Sequence, residues 1–117
     1  MDRYDRIASE MKRVIADIIR NDVKDPRIPI VTSVTGIKLA RDLKYAKVFI
    51  SVFGDEAEKA GCMAALSSSS GFIRHEIGQK MTIRSLPELT FVLDESIEYG
   101  SYITEKLNAI KEQEANK

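Results

Sequence analysis

The sequence has few of the residues from which catalytic and metal sites are built. It contains one cysteine, Cys62, and one histidine, His75, in 117 residues. A lone cysteine excludes an internal disulfide and favours a reducing compartment such as the cytoplasm. A lone histidine excludes a metal site built on several histidines, and a Cys-His pair would lack a further partner of either type. We therefore expect no catalytic residue, no metal site and no cofactor.

Two further absences narrow the classes of protein. The sequence contains neither GxxxxGK[ST] nor GxGxxG, which argues against a nucleotide-binding enzyme and against a small-molecule substrate of that kind. No apolar run approaches the roughly 18 residues that a membrane-spanning helix requires, and the N-terminal residues lack the apolar core of a signal peptide. We expect a cytoplasmic protein that is not inserted in a membrane.

The formal net charge is zero, but the charges are unevenly distributed along the chain. Residues 1–53 carry 11 Lys/Arg against 7 Asp/Glu, whereas residues 54–117 carry 7 against 11. Residues 1–53 therefore carry a net charge of +4 and residues 54–117 a net charge of −4. Such an asymmetry is weak support for a surface that faces a polyanion, because halves of a sequence need not be halves of a structure.

Apolar periodicity predicts seven elements in the order α, β, β, α, α, β, α. A 117-residue chain can bury one two-layer core, so the elements form one α+β domain with helices packed on a three-stranded sheet. Pro26 and Pro29 end the first helix, and a slip in alternation near Gly36 predicts a bulge or a close backbone approach in the first strand. The predicted helices are residues 3–23, one from Glu56, one over 72–81 and a final one from 94–96. The predicted strands are residues 31–40, 45–53 and 88–93. Residues 112–117 are expected to fray.

The most informative stretch is residues 67–93, in which four serines and Gly71 separate two helical patterns. We interpret it as helix, kink, helix, with Gly71 allowing the chain to leave the first helix and serine hydroxyls replacing freed backbone bonds. A phosphate could lie at the start of the second helix with Arg74 as its partner, or the serines could simply cap the kink. The apolar pattern of the helix that precedes the serines consists of Ala57, Ala60, Met63, Ala64 and Leu66.

A basic stripe is predicted on the first helix. Arg6, Arg13 and Arg20 are spaced two turns apart and extend over about 20 Å. Glu10 and Asp17 follow the first two arginines by four residues, so the stripe could equally be ordinary surface pairing.

The order of motifs resembles that of bacterial ribosome-binding factor A over nearly the whole chain. The resemblance rests on Asp25-Pro26-Arg27, Ala46-Lys47-Val48 and the segment from Pro87 to Phe91, which occur in the expected order. It implies a single-domain type II KH-like fold over residues 1–111. The KH family clamps RNA with a GXXG loop. This family carries an Ala-X-Gly kink instead, and Ser69-Ser70-Gly71 stands at that position with serine in place of the alanine.

The resemblance also implies a function in assembly rather than catalysis. Members associate with free small (30S) ribosomal subunits and support late maturation and 5′-end processing of 16S rRNA, especially in the cold. The expected partner is thus the small subunit with its rRNA, bound by a monomer. Candidate RNA-binding residues are Arg6, Arg13, Arg20, Lys38, Arg41, Lys44, Lys47, Ser69, Ser70, Gly71, Arg74, Lys80 and Arg84.

Two alternatives from other classes remain open. A small homodimeric ligand-binding or structural α+β protein would account for the same core and predicts no salt-dependent RNA binding. A hydrolase using His75 would need partner residues that the sequence does not supply.

Overall fold

A computed structural model of the chain describes residues 2–96. Six elements follow the predicted order, and the predicted seventh, the final helix, lies outside the described residues together with the tail at 112–117. The elements are α1 (Arg3–Asn21), β1 (Ser33–Leu39), β2 (Tyr45–Ser51), α2 (Glu56–Ser68), α3 (Ser70–Lys80) and β3 (Glu88–Leu93).

Helix α1 is amphipathic, as its periodicity predicts. The side chain of Asp2 caps its start by accepting a hydrogen bond from the backbone N–H of Asp5 at 2.8 Å. The helix ends at Asn21 rather than Val23. Burial of its apolar stripe provides most of the free energy that holds the helix on the sheet. The buried residues of this stripe are Met11, Val14, Ile15, Ile18 and Ile19.

The strands form one mixed sheet in the order β1-β2-β3. Strand β1 pairs with β2 antiparallel, and β2 pairs with β3 parallel. The register of β1 slips between Val34 and Gly36, which confirms the predicted bulge. The hairpin turn places Leu43 in the left-handed region with φ of 63°. Strand β2 ends at Ser51, two residues before the predicted Phe53.

Alternation along β2 separates the two faces of the sheet. Ala46, Val48 and Ile50 are buried and share one core with residues from α1, α2 and α3. The other face of β2 presents Tyr45 and Lys47, both exposed, to the opposite side. The described helices therefore cover only one face of the sheet.

Helix α2 begins with a reciprocal capping box. The Asp55 side chain accepts from the N–H of Glu58 at 2.7 Å, and the Glu58 carboxylate accepts from the N–H of Asp55 at 3.2 Å. These two bonds satisfy backbone donors that the first turn of a helix otherwise leaves free.

The apolar pattern of α2 identifies its buried face only in part. Leu66 is buried and Met63 is half-buried, but the alanines at 57, 60 and 64 are exposed. The core-facing side is completed by Lys59, Cys62 and Ala65 instead. Alanine is a weak guide to orientation because it buries little area on any face.

The break between α2 and α3 occurs at Ser69, within the predicted Ser69-Ser70-Gly71 kink. Ser69 has φ −92° and ψ 2°, and its N–H donates to the carbonyls of Ala65 and Leu66. Its hydroxyl makes no capping hydrogen bond to α3, and Gly71 lies inside α3 without a positive φ. The expected mechanism is therefore wrong in detail. The break is one residue, Ser69, which leaves helical geometry while its backbone N–H still bonds to the end of α2. It involves neither a glycine with positive φ nor a hydrogen bond from a serine side chain that caps α3.

Candidate nucleic-acid interface

The three arginines predicted on α1 are exposed and lie along its solvent side. The alternative that Glu10 and Asp17 neutralise them is not seen, because Arg6, Arg13 and Arg20 form no ion pair with any residue that the structure describes. Their guanidinium groups remain available to an anion from outside. The helix thus presents three exposed arginines two turns apart, with Glu10 and Asp17 between them but not ion-paired to them.

The hairpin turn joins the N-terminal end of this stripe. The hydroxyl of Tyr4 donates to the carbonyl of Ala40, and the guanidinium of Arg41 lies 5.9 Å from the centre of the Tyr4 ring. Lys44 follows in the same turn, where its N–H donates to the Asp42 carboxylate at 3.0 Å. The contact at Tyr4 brings Arg41 next to the start of α1, which the sequence did not indicate.

Lys38 and Lys47 lie directly opposite each other in the antiparallel pair of β1 and β2. Both are exposed, and neither forms an ion pair within residues 2–96. They belong to the sheet face that the described helices leave uncovered. The structure therefore places them on a different side of the sheet from the helices.

The cations near the break between α2 and α3 are mostly engaged within the protein. Arg74 donates from Nε to the carbonyl of Pro87 at 3.1 Å and from Nη2 to that of Leu86 at 2.8 Å. These two bonds hold the connector that leads into β3. Arg84 is exposed and has no ionic partner in the described part of the chain. Of these two arginines, only Arg84 keeps its charge fully turned to solvent.

Lys80 is also paired. Its Nζ lies 2.8 Å from Asp22 Oδ2 and 3.5 Å from Glu76 Oε2, so it joins the end of α3 to the end of α1. The hydrogen bond that Lys80 donates to Asp22, followed by the nearby charges, raises the pKa of Lys80 above its usual value. The sequence predicts that Arg74 and Lys80 face RNA, but both make intramolecular contacts that sequence spacing does not reveal.

The Asp25-Pro26-Arg27 motif forms a closed clasp. Arg27 donates from Nε to Asp25 Oδ1 at 3.1 Å and from Nη2 to Oδ2 at 2.8 Å. This bidentate bond lowers the pKa of Asp25 to about 2. The clasp braces the loop that connects α1 to β1, so the motif has a structural explanation that requires no ligand.

Beside the clasp lies an open cavity of about 380 Å³ lined by residues of α1 and of the same loop, among them Ile19, Arg20 and Lys24. Ile30, on its rim, is 98% exposed. Sequence reasoning missed this cavity. The signal that could have indicated it is Ile30, an apolar residue that directly follows Pro29 and lies before the predicted strand.

The arrangement offers no site for catalysis among the described residues. His75 is exposed and has no hydrogen-bond partner within residues 2–96. No group of three or more His, Cys, Asp or Glu residues in that range could hold a metal ion. Cys62 is buried, 3.8 Å from the Thr32 hydroxyl, and burial raises the pKa of its thiol. A thiol of that kind is a core residue rather than a nucleophile.

No helix of the described part is long and apolar enough to cross a membrane. The order of the described elements and a three-stranded sheet covered on one face define an α+β domain that is compatible with the KH-like fold. A family model described as ribosome-binding factor A matches residues 3–107. The ribosome-binding factor A of Acetivibrio thermocellus is 49% identical over 113 residues, which cover 97% of this chain and 92% of the relative. The chain therefore belongs to the ribosome-binding factor A family.

Solved structures agree with this assignment at the level of the fold. The crystal structure of ribosome-binding factor A from Thermus thermophilus matches with a TM-score of 0.70 at 24% identity, covering 79% of this chain and 96% of that one. A homology model of the Thermus thermophilus factor, fitted into a cryo-electron microscopy map of its 30S complex, matches with a TM-score of 0.63 at 24% identity. That match covers 75% of this chain and 91% of the other.

Proposed function

We propose that this protein is a non-catalytic, RNA-binding assembly factor that associates with free small ribosomal subunits. Membership of the ribosome-binding factor A family, which extends over residues 3–107, carries the proposal. The 30S complex described for the Thermus thermophilus relative supports the small subunit as the partner. On this proposal the factor supports late maturation and 5′-end processing of 16S rRNA, acts in the cytoplasm as a monomer, and uses no cofactor.

The surface chemistry is consistent with an RNA partner. Arg6, Arg13 and Arg20 on α1, with Arg41 beside the start of the helix, supply cations that form no ion pair with the described residues. Each phosphate contact from such a group releases counterions, so binding weakens as salt rises. Phosphate contacts position a protein on RNA, and they do not by themselves select a sequence.

A role in the cold follows from the same binding. Low temperature stabilises misfolded rRNA, and a protein that binds one conformation more tightly shifts the population towards it without ATP. A preference of about 100-fold, which corresponds to about 2.7 kcal/mol, would change an equilibrium by the same factor. The factor would then matter most when alternative rRNA structures are long-lived.

Sedimentation with purified ribosomal particles tests the proposal. The protein is mixed with small subunits, large subunits and assembled ribosomes at low and moderate salt. We expect selective co-migration with free small subunits. The triple variant Arg6→Gln, Arg13→Gln, Arg20→Gln should bind more weakly, with a salt dependence reduced by about 0.7–0.9 per lost contact on a log-log plot.

Arg27→Gln is the control for the loss of one positive charge outside the α1 stripe, in the loop that follows the helix. It should co-migrate as the unaltered protein does. Failure of the unaltered protein to bind any particle at low salt would refute the proposal. The maturation role is tested by depleting the protein from cells grown in the cold and measuring unprocessed 5′ ends of 16S rRNA, which should accumulate.

A further inference from the structure

The sheet face opposite the helices has an ordered set of side chains, among them the candidate RNA-binding residues Lys38 and Lys47. Strand register places Lys38, Lys47 and Thr90 in one row across the three strands. The next row consists of Gly36, Phe49 and Val92. No described helix packs on these rows. We call this surface the open sheet face and define it by Lys38, Tyr45, Lys47, Phe49, Thr90 and Val92.

The lysine pair in the first row is unfavourable for the isolated fold. Lys38 and Lys47 are direct cross-strand partners, and like charges in that position repel because their Cβ atoms are about 5 Å apart. The neighbour on the other side of Lys47 is the uncharged Thr90. With no carboxylate from the described residues paired to either lysine, an external anion is the group that would relieve the repulsion.

Two aromatic residues on β2, Tyr45 and Phe49, flank Lys47. Tyr45 is 57% exposed, although tyrosine on a folded surface normally buries most of its ring. Phe49 pairs with Gly36 in register, and its Cδ2 would lie 4.0 Å from a Cβ added there, which is ordinary van der Waals contact. Phe49 is half-buried, so only part of its ring is open to solvent. Along the strand the two rings are about 13 Å apart, with Lys47 between them.

We propose that the open sheet face binds unpaired RNA nucleotides, with bases stacked on Tyr45 and Phe49 and phosphates held by Lys38 and Lys47. The proposal rests on the proposed function for the identity of the polymer as RNA. Flat aromatic faces that alternate with cations suit single strands, because every base has a π-face and an unpaired strand can turn its bases outwards. A duplex keeps its bases stacked inside and would offer only phosphates. Glu88, beside Tyr45 in register, limits how far the anion can extend towards that end of the strands.

Binding of two fluorescent RNAs tests the proposal. One is an unstructured oligouridine of 12 nucleotides, and the other is a 12-base-pair RNA duplex. We expect the protein to prefer the single strand. Tyr45→Ala should weaken single-strand binding by between about 5- and 150-fold and leave duplex binding unchanged, whereas Tyr45→Phe should retain it. Phe72→Ala removes an aromatic ring that is 46% exposed on α3 and should have no effect.

Several outcomes would overturn the proposal. They are equal affinity for both RNAs, no binding of the single strand, or single-strand binding by Tyr45→Ala that equals the unaltered protein. A dimer that Tyr45→Ala abolishes would assign the face to a second copy instead. Thermal melting checks that each variant is folded.

The same variants in the small-subunit sedimentation assay separate this proposal from the proposed function. If the protein binds small subunits but Tyr45→Ala does not change its affinity for oligouridine, only the proposal that the open sheet face binds unpaired RNA is refuted. Tyr45-dependent oligouridine binding without binding to small subunits refutes the proposed function alone.

Discussion

Replacing Gly71 with alanine tests how the joint between α2 and α3 is built. Gly71 is the second residue of α3 and its φ is not positive, so an L side chain is compatible with its backbone. A Cβ added there would meet no atom within 4 Å, and the same is true of Gly61 in the middle of α2. The pair of substitutions Gly71→Ala and Gly61→Ala therefore adds one methyl group to open space in each helix.

The expected magnitude follows from helix propensity. Glycine in a helix is less favourable than alanine by about 0.5–1 kcal/mol, mainly because the unfolded chain has more freedom to lose at glycine. With no clash to offset this gain, both variants should be more stable by about that amount. Gly71→Ala should lie at the lower end because Gly71 is in the first turn of its helix. For a domain of this size the melting temperature should rise by about 2–8 °C.

Thermal unfolding followed by circular dichroism measures the change, and small-subunit sedimentation measures binding. If RNA backbone approaches the joint closely, Gly71→Ala should bind more weakly while being more stable, and Gly61→Ala should bind normally. A lower melting temperature for Gly71→Ala alone would refute the reasoning, because it would mean that Gly71 requires a conformation or a close contact that this helical geometry lacks.

Three further perturbations test contacts that define the surface. Tyr4→Phe removes the hydrogen bond to the Ala40 carbonyl and should lower the free energy of unfolding by about 1 kcal/mol in urea titrations, while an unchanged value would contradict that bond. Arg74→Ala removes two donors to the β3 connector and should cost about 1–3 kcal/mol by the same assay; a stable variant with weakened RNA binding would instead favour a role at the interface. Asp25 has a folded pKa of about 2, below its ordinary 3.8, so its contribution to stability is complete above pH 3.8 and is lost as pH falls through 2. Carboxyl-carbon NMR titration should show this midpoint, and in Arg27→Gln it should return towards 3.8.

The sequence predicts the elements well where local periodicity is strong. Alternation of Ala46, Val48 and Ile50 identifies both the strand and its buried face, because a period of two determines which side each residue occupies. The buried stripe of α1 follows in the same way from a period of 3.6. The α2 face is only partly predicted because its apolar residues are mostly alanines, and because Lys59, a residue normally at the surface, is buried there.

The candidate site is less predictable because its contacts are distant in sequence. Lys80 meets Asp22 across 58 positions, and Arg74 reaches carbonyls 12 and 13 residues away. No spacing rule anticipates such pairs. The sequence identifies which residues are charged, but only the fold decides which charges are already used. The rows of the open sheet face depend on strand register, which sequence also leaves undetermined.

The mixed pairing of β2 has a consequence for the order of folding. Its antiparallel partner is joined to it by a short turn, so the hairpin can form in about 1–10 μs. Its parallel partner follows α2 and α3 and cannot pair until β3 has been synthesised. At about 5–20 residues per second, the second edge of β2 stays unpaired for several seconds. During that interval Lys47, at the centre of the strand, opposes pairing with other nascent chains, because a charge on an exposed edge disfavours association.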